Sequence, residues 1–208
     1  MNLLLVSQNR VFDQKRNERR DYIDSRLVDF FRSMSFESLT VPNGASAVRL
    51  IGEHVRPMGI VLSGGSSIGV EPQRDETERQ LLDYAVAETL PVLGICRGMQ
   101  MMNHYLSGSL KRVSEHAATT HSLWSEEPGF TRSEVNSYHN FQLDLIGKGL
   151  GVAATSNDGV VEAVTHHELP WLGIMWHPER VFPFDEEDRQ LVIDLFSRAR
   201  FPGGVQRA

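Results

Sequence analysis

The sequence contains one cysteine, Cys96, among 208 residues. No intrachain disulfide can form from it, and no zinc site built on several thiolates can assemble within one chain. Cys96 is either a small buried hydrophobe or a working thiol. Long apolar runs are also missing: no stretch approaches the roughly 20 apolar residues that cross a bilayer, so no membrane role is expected. The opening run Met1 to Val6 has neither a basic flank nor a small-residue cleavage site and is expected to be a first strand, which places the protein in the cytoplasm. Basic charge is in deficit, with 21 Lys and Arg against 27 Asp and Glu and a net charge of −6. A nucleic-acid partner needs a basic face that neutralises phosphates and releases counterions, so none is expected. Repeats, linkers and low-complexity segments are absent. The length suits one domain, 1–208, with a single large interior.

What is present is an alternation of strand-like and helix-like segments. Asn2 to Ser7 is a short apolar run, and Asp21 to Met34 carries Ile23, Leu27, Phe30 and Phe31 at helical spacing. Glu37 to Val41 reads as a strand closed by Pro42, Ala45 to Arg56 as a helix, and Gly59 to Leu62 as a strand ending in Ser63-Gly64-Gly65. Thr77 to Thr89 reads as a helix, Pro91 to Ile95 as a strand and Arg97 to Leu106 as a helix. Beyond these, Val135 to Tyr138, Gly151 to Ala154, Val160 to Thr165 and Trp171 to Met175 read as strands that extend or flank the main sheet. A last helix, Glu186 to Ala199, precedes a glycine-containing tail, Phe201 to Ala208. The expected fold is α/β, a mostly parallel, doubly wound sheet flanked by helices.

The strongest local signal is Gly94-Ile95-Cys96-Arg97-Gly98, where a buried strand turns abruptly into a helix. A nucleophile on such an elbow is exposed at the carboxyl end of a sheet, and flanking glycines permit the tight turn. The helix dipole starting at Arg97 favours a thiolate at Cys96. A thiol of this kind needs a base, and Trp176-His177-Pro178-Glu179 follows a strand that can end at the same sheet edge. Pro178 fixes the backbone so that Glu179 can orient one imidazole nitrogen of His177 while the other faces the thiol.

Together, Leu62-Ser-Gly-Gly, Gly94-Ile-Cys-Arg-Gly-Met-Gln100 and Trp176-His-Pro-Glu179 resemble the three ordered motifs of the class I glutamine amidotransferases, over nearly the whole chain. The resemblance implies a flavodoxin-like sheet and a catalytic triad of Cys96, His177 and Glu179 that hydrolyses a γ-glutamyl amide through a glutamyl thioester. It implies an oxyanion hole from the amides of Arg97 and Gly65, where a side chain on Gly65 would block the approach of substrate to the backbone. Gly64 and Gln100 would help hold the glutamyl group. The stretch Val135 to Gln142 is similar to the Asn-Ser-x-His segment of the γ-glutamyl hydrolase branch, which puts Ser137, Tyr138 and His139 beside substrate. No metal and no organic cofactor are implied.

His116, His121, His166 and His167 lack a carboxylate or cysteine at a recognised ligand spacing, so solvated or hydrogen-bonded histidines are expected there. The early Gln8-Asn-Arg and Arg19-Arg-Asp resemble the γ-glutamyl-CDP-amidate hydrolases of this branch, which serve capsule phosphoramidate decoration. Arg10, Lys15, Arg16, Arg19 and Arg20 could meet a diphosphate, or could form a solvated charge run with Asp13, Glu18 and Asp21. Three readings stay open: a free-standing hydrolase of a small γ-glutamyl substrate, a glutaminase subunit feeding a separate synthase partner, and a non-catalytic binding module. Homo-oligomerisation is equally open.

Overall fold

A computed structural model describes residues 2–44, 47–127 and 129–197. The chain runs β1 Leu3–Ser7, β2 Asn9–Asp13, β3 Glu18–Tyr22, α1 Ser25–Arg32, β4 Glu37–Val41, α2 Ala47–His54, β5 Gly59–Leu62, α3 Pro72–Glu88, β6 Val92–Ile95 and α4 Arg97–Tyr105. It continues through β7 Leu110–Arg112, β8 Ala117–Trp124, β9 Glu134–Tyr138, β10 Phe141–Leu143, β11 Leu150–Ser156, β12 Val161–His166, β13 Trp171–Ile174, a 3-10 turn Pro178–Arg180 and α5 Glu186–Ser197.

The main sheet has nine strands in the order β4-β1-β5-β6-β13-β12-β11-β8-β9. The first five are mutually parallel, and the remaining four pair antiparallel with their neighbours. The parallel part follows the doubly wound order of flavodoxin-like sheets. Side chains alternate across these strands and feed two cores. Leu4, Val6, Val61, Leu93, Ile95, Leu172 and Ile174 join Phe30 and Phe31 of α1 and Leu195 and Phe196 of α5 on one face. Leu5, Ile60, Leu62, Val92 and Trp171 join Leu81 and Leu82 of α3 and Met101 and Met102 of α4 on the other. Strands β5, β6 and β13 are buried at every position and carry no polar side chain, because both faces are covered.

Several boundaries differ from the sequence expectation. The helix expected from Asp21 begins at Ser25, because Asp24 caps it by accepting the Arg26 amide at 3.0 Å. Residues 21 and 22 belong instead to the β2–β3 hairpin, a two-stranded sheet. Its strands leave Val11, Phe12 and Tyr22 exposed, so no apolar alternation announces it. Helix α3 begins at Pro72 rather than Thr77; Pro72 opens its first turn, where proline costs no hydrogen bond. Strands β7, β8 and β10 were not expected either, and β8 buries only Leu123 fully. Residues 45 and 46 of the expected second helix, 198 and 199 of the last helix, and the tail 201–208 lie outside the described residues.

The consequence for function is positional. Strands β5, β6 and β13 are adjacent and parallel, so the segments that follow them, Ser63-Gly64-Gly65, Cys96 and Trp176-His177, emerge at one edge of the sheet.

Candidate active site

Cys96 occupies the junction of β6 and α4 with φ 51° and ψ −104°. A non-glycine residue in such a conformation costs on the order of 1–3 kcal/mol and persists only where its surroundings impose it. They do so here. The Cys96 amide donates to the Ile174 carbonyl at 2.7 Å, ending the β6–β13 ladder, and the Gln100 amide donates to the Cys96 carbonyl at 3.1 Å, starting the helix. The flanking glycines let α4 fold tightly over the sheet. A Cβ on Gly94 would lie 2.5 Å from Met102 Sδ and 2.7 Å from the Gly98 carbonyl carbon, and one on Gly98 would strike the Leu62 carbonyl oxygen. The glycines therefore serve helix–strand contact, while the strained conformation falls on the cysteine.

His177 follows β13 and is buried, and its Nδ1 lies 2.6 Å from Glu179 Oε1. The turn at Pro178–Arg180 folds Glu179 back onto the ring. Because the carboxylate accepts, Nδ1 carries the proton and Nε2 is left for the thiol. Burial pulls the imidazole pKa down, but the hydrogen bonds to the Cys96 thiol and to Glu179 outweigh it and raise the group to about 9. Asn136 clamps the backbone: its Nδ2 donates to the His177 carbonyl and its Oδ1 accepts the His177 amide, each at 2.8 Å. The ring is flanked by the edge of Tyr138, with centroids 5.7 Å apart, and by Gly64, where a Cβ would stand 2.6 Å from His177 Cε1. Arg180 stacks over Tyr138 at 4.4 Å.

The glycine loop and the elbow share one buried ionic network. Arg74 Nη2 donates to the Ser63 carbonyl at 2.7 Å and the Gly64 carbonyl at 3.1 Å, and its Nε donates to Glu78 Oε1 at 2.9 Å. Arg97, the first residue after Cys96, pairs with Glu78 and Asp75. Ser7 Oγ also donates to Glu78 Oε1, at 2.9 Å. Burial alone would raise the Glu78 carboxyl, yet Arg74 and Arg97 hold it below its ordinary range. Gly65 has φ +142°, and the space its missing side chain leaves is filled by Arg74 and Asn9. Glycine at 65 thus admits the arginine network.

The structure thus brings Cys96, Arg97, His177, Glu179, Gly64, Gly65 and Tyr138 to one sheet edge. Gln100 is buried, and its side-chain Nε2 donates to the Phe141 carbonyl at 3.1 Å. Ser137 and His139 depart from expectation. Along β9 the side chains alternate, so Asn136 and Tyr138 face His177 while Ser137 turns away, its hydroxyl 2.5 Å from the His116 carbonyl. The His139 ring packs against His116 instead of the site. His116 and His121, expected to be solvated or merely hydrogen-bonded, converge with His139 and with Glu162, a carboxylate no local spacing revealed. His166 does play a local part, accepting the amides of Glu168 and Leu169 at 3.1 and 3.0 Å. In the hairpin Arg20 pairs with Glu18 at 2.6 Å in the open, whereas Arg10 pairs with Asp21 at 2.6 Å and is largely buried, so it is not part of a solvated run.

Sequence reasoning missed Arg74, Glu78, Asn9 and Asn136. Arg74 and Glu78 stand one helical turn apart, a spacing that marks a pair but not its burial.

Comparison with known proteins places this geometry. The Peptidase C26 family profile matches residues 51–179, from α2 through Glu179. A γ-glutamyl-CDP-amidate hydrolase of Campylobacter jejuni is 32% identical over 127 residues, covering 58% of this chain and 62% of that enzyme. The chain therefore spans less than two thirds of that relative's length. A glutamine-hydrolysing GMP synthase subunit from Methanococcus aeolicus is 31% identical over 160 residues, covering 74% of this chain and 81% of that protein. A solved structure from Thermoplasma acidophilum, assigned as a GMP synthase subunit, superposes with a TM-score of 0.71 at 21% identity, covering 95% and 94% of the two chains. That likeness bears on the fold alone. With the matched segment running through all three motif regions at the sheet edge, the chain belongs to the Peptidase C26 family.

Proposed function

We propose that the protein is a cysteine-dependent γ-glutamyl hydrolase in which Cys96 is the nucleophile, His177 the proton shuttle and Glu179 the group that orients it. The observation that carries this reading is the strained Cys96 elbow at the same sheet edge as a buried His177–Glu179 pair.

With the imidazole pKa at about 9, His177 Nε2 already holds the proton taken from Cys96 at neutral pH, and the sulfur attacks the γ-glutamyl carbonyl. Charge on the carbonyl oxygen is met by the Arg97 amide, a first-turn N–H without a partner within its helix, and by the Gly65 amide. His177 then gives its proton to the departing nitrogen, and the C–N bond breaks to leave a glutamyl thioester. Water, deprotonated by His177, attacks the thioester; the C–S bond breaks, the thiol is restored and glutamate leaves. Gly64 and Tyr138 flank the imidazole and border the glutamyl group.

The experiment is glutamate release by the purified protein alone from glutamine, γ-glutamyl-γ-aminobutyrate and γ-glutamyl-CDP-amidate at equal concentration. Marked preference for one conjugate supports a free-standing hydrolase, and preference for the CDP-amidate would tie it to capsule phosphoramidate chemistry, as the name of the Campylobacter relative suggests. The extensive match to the Methanococcus synthase component favours a second reading, a glutaminase that supplies ammonia to a separate synthase. Poor turnover of all three substrates would favour that reading.

Two substitutions probe the triad. Glu179→Gln is expected to lower kcat by about a hundredfold less than loss of the nucleophile, since the imidazole remains but is misoriented. It should also lower the His177 pKa from about 9, because a carboxylate that stabilises the imidazolium is gone; an NMR titration of His177 reads this directly. An unchanged titration and rate would remove the orienting role. Gly64→Ala drives a methyl group against His177 Cε1. Displacing the ring by about 1 Å should cost on the order of a hundredfold in kcat, with circular dichroism unchanged.

A further inference from the structure

Outside the candidate active site, the described residues include another buried cluster of titratable side chains. His116 from the segment before β8, His121 in β8, His139 just after β9 and Glu162 in β12 each present one donor atom, all within 4.8 Å of one another. Glu162 is fully buried, and the His116 and His139 side chains are 4% and 1% exposed.

The hydrogen bonds around the cluster fix which atoms face inward. His139 Nδ1 lies 3.0 Å from the Phe141 carbonyl oxygen, which can only accept, so Nδ1 carries the proton and Nε2 presents a lone pair. His116 Nε2 lies 2.9 Å from Asp158 Oδ2. Asp158 is a half-exposed carboxylate and accepts at this contact, so Nε2 of His116 donates and Nδ1 turns inward. Nδ1 of His116 and Nε2 of His139 are 3.3 Å apart, and they stand 3.6 and 3.5 Å from Glu162 Oε1. His121 Nε2 is 3.0 Å from the same oxygen. Among the described residues, neither Glu162 oxygen nor His121 Nε2 finds a partner at hydrogen-bonding geometry. A buried carboxylate surrounded by inward lone pairs is strongly unfavourable unless a positive charge lies among them.

The geometry points to a metal site: we propose that His116 Nδ1, His121 Nε2, His139 Nε2 and Glu162 Oε1 bind one zinc ion per chain. Bonds of about 2.0–2.1 Å in a tetrahedron put ligand atoms about 3.3 Å apart; four of the six separations, at 3.0 to 3.6 Å, match this, and all six lie within 4.8 Å. Three imidazoles and one carboxylate suit zinc and give four protein ligands with no open position, the mark of a structural site. Asp158 on His116 and the Phe141 carbonyl on His139 are the outer partners that fix the orientation of metal-bound imidazoles. The ion would tie β8, β9 and β12 together beside Ser137. It would thereby hold the strand whose other face presents Asn136 and Tyr138 to His177.

The test uses the untagged full chain carrying Cys96→Ala, so that zinc at the thiol cannot contribute. After dialysis against a chelator, the protein is titrated with Zn²⁺ by calorimetry and with Co²⁺ by visible absorption. Binding of one ion per chain, intense tetrahedral cobalt bands and a raised melting temperature with zinc are expected. His121→Ala should abolish the cobalt bands. Asp158→Asn, at a half-exposed position where folding is not at stake, should weaken zinc about ten- to a hundredfold. Absence of saturable binding, or binding that both substitutions leave unchanged, would overturn the site. The readouts are independent of glutamate release, so either proposal can fail without the other.

Discussion

Cys96→Ala is expected to reduce glutamate release by at least about a thousandfold while the protein stays folded. The sulfur is the atom that forms the covalent bond, and no second cysteine exists to replace it. The same position permits a stability comparison, because alanine retains the burden of φ 51° and glycine does not. Cys96→Gly should therefore melt above Cys96→Ala, by about 2–4 °C per kcal/mol of strain relieved in a chain of this size. Retention of normal turnover by Cys96→Ala would end the thiol mechanism. Equal melting of the two variants would mean that the elbow carries no strain.

The second large effect is on folding. Glu78 lies fully buried between Arg74 and Arg97, and removing one member of such a group leaves uncompensated buried charge, at a cost of about 3–5 kcal/mol. Glu78→Gln should accordingly lower the melting temperature by about 10 °C at neutral pH. The sign of its pH dependence follows from the depressed folded-state pKa. The stabilisation is present above the ordinary carboxylate value of 4.5 and is lost as pH falls through the lower folded value. The gap between wild type and variant should hold from pH 7 to about 5 and close under stronger acid. A gap that did not change under acid would show that the effect is packing and not charge.

The contrast between Cys96 and Glu78 also shows what a sequence displays. The elbow was legible because its glycines sit beside an apolar strand and report a close backbone approach that only they permit. The His-Pro-Glu turn was legible because its members are neighbours in the chain. Helix α3 was read from Thr77 onward because apolar periodicity fails where the buried residues are Arg74 and Glu78. The hairpin β2–β3 escaped because ion pairs and exposed aromatics hold it instead of a buried face. Ser137 and His139 were placed beside substrate because a motif read as letters ignores the two-residue alternation of a strand. Glu162 and the three histidines around it come from different strands and connections, and only the β12-β11-β8-β9 pairing brings them together.

The strand order also sets how different parts of the site can move. Cys96 and His177 hang from β6 and β13, which lie inside the sheet with ladders on both sides. Asn136 and Tyr138 lie on β9, the outermost strand, bonded within that sheet to β8 alone. Releasing β9 therefore breaks one ladder and the two Asn136 bonds to the His177 backbone, whereas releasing β6 dismantles the centre of the molecule, and the two events differ in free energy accordingly. The wall beside the imidazole can breathe on a fast timescale while the floor that carries the sulfur stays closed until the whole domain unfolds.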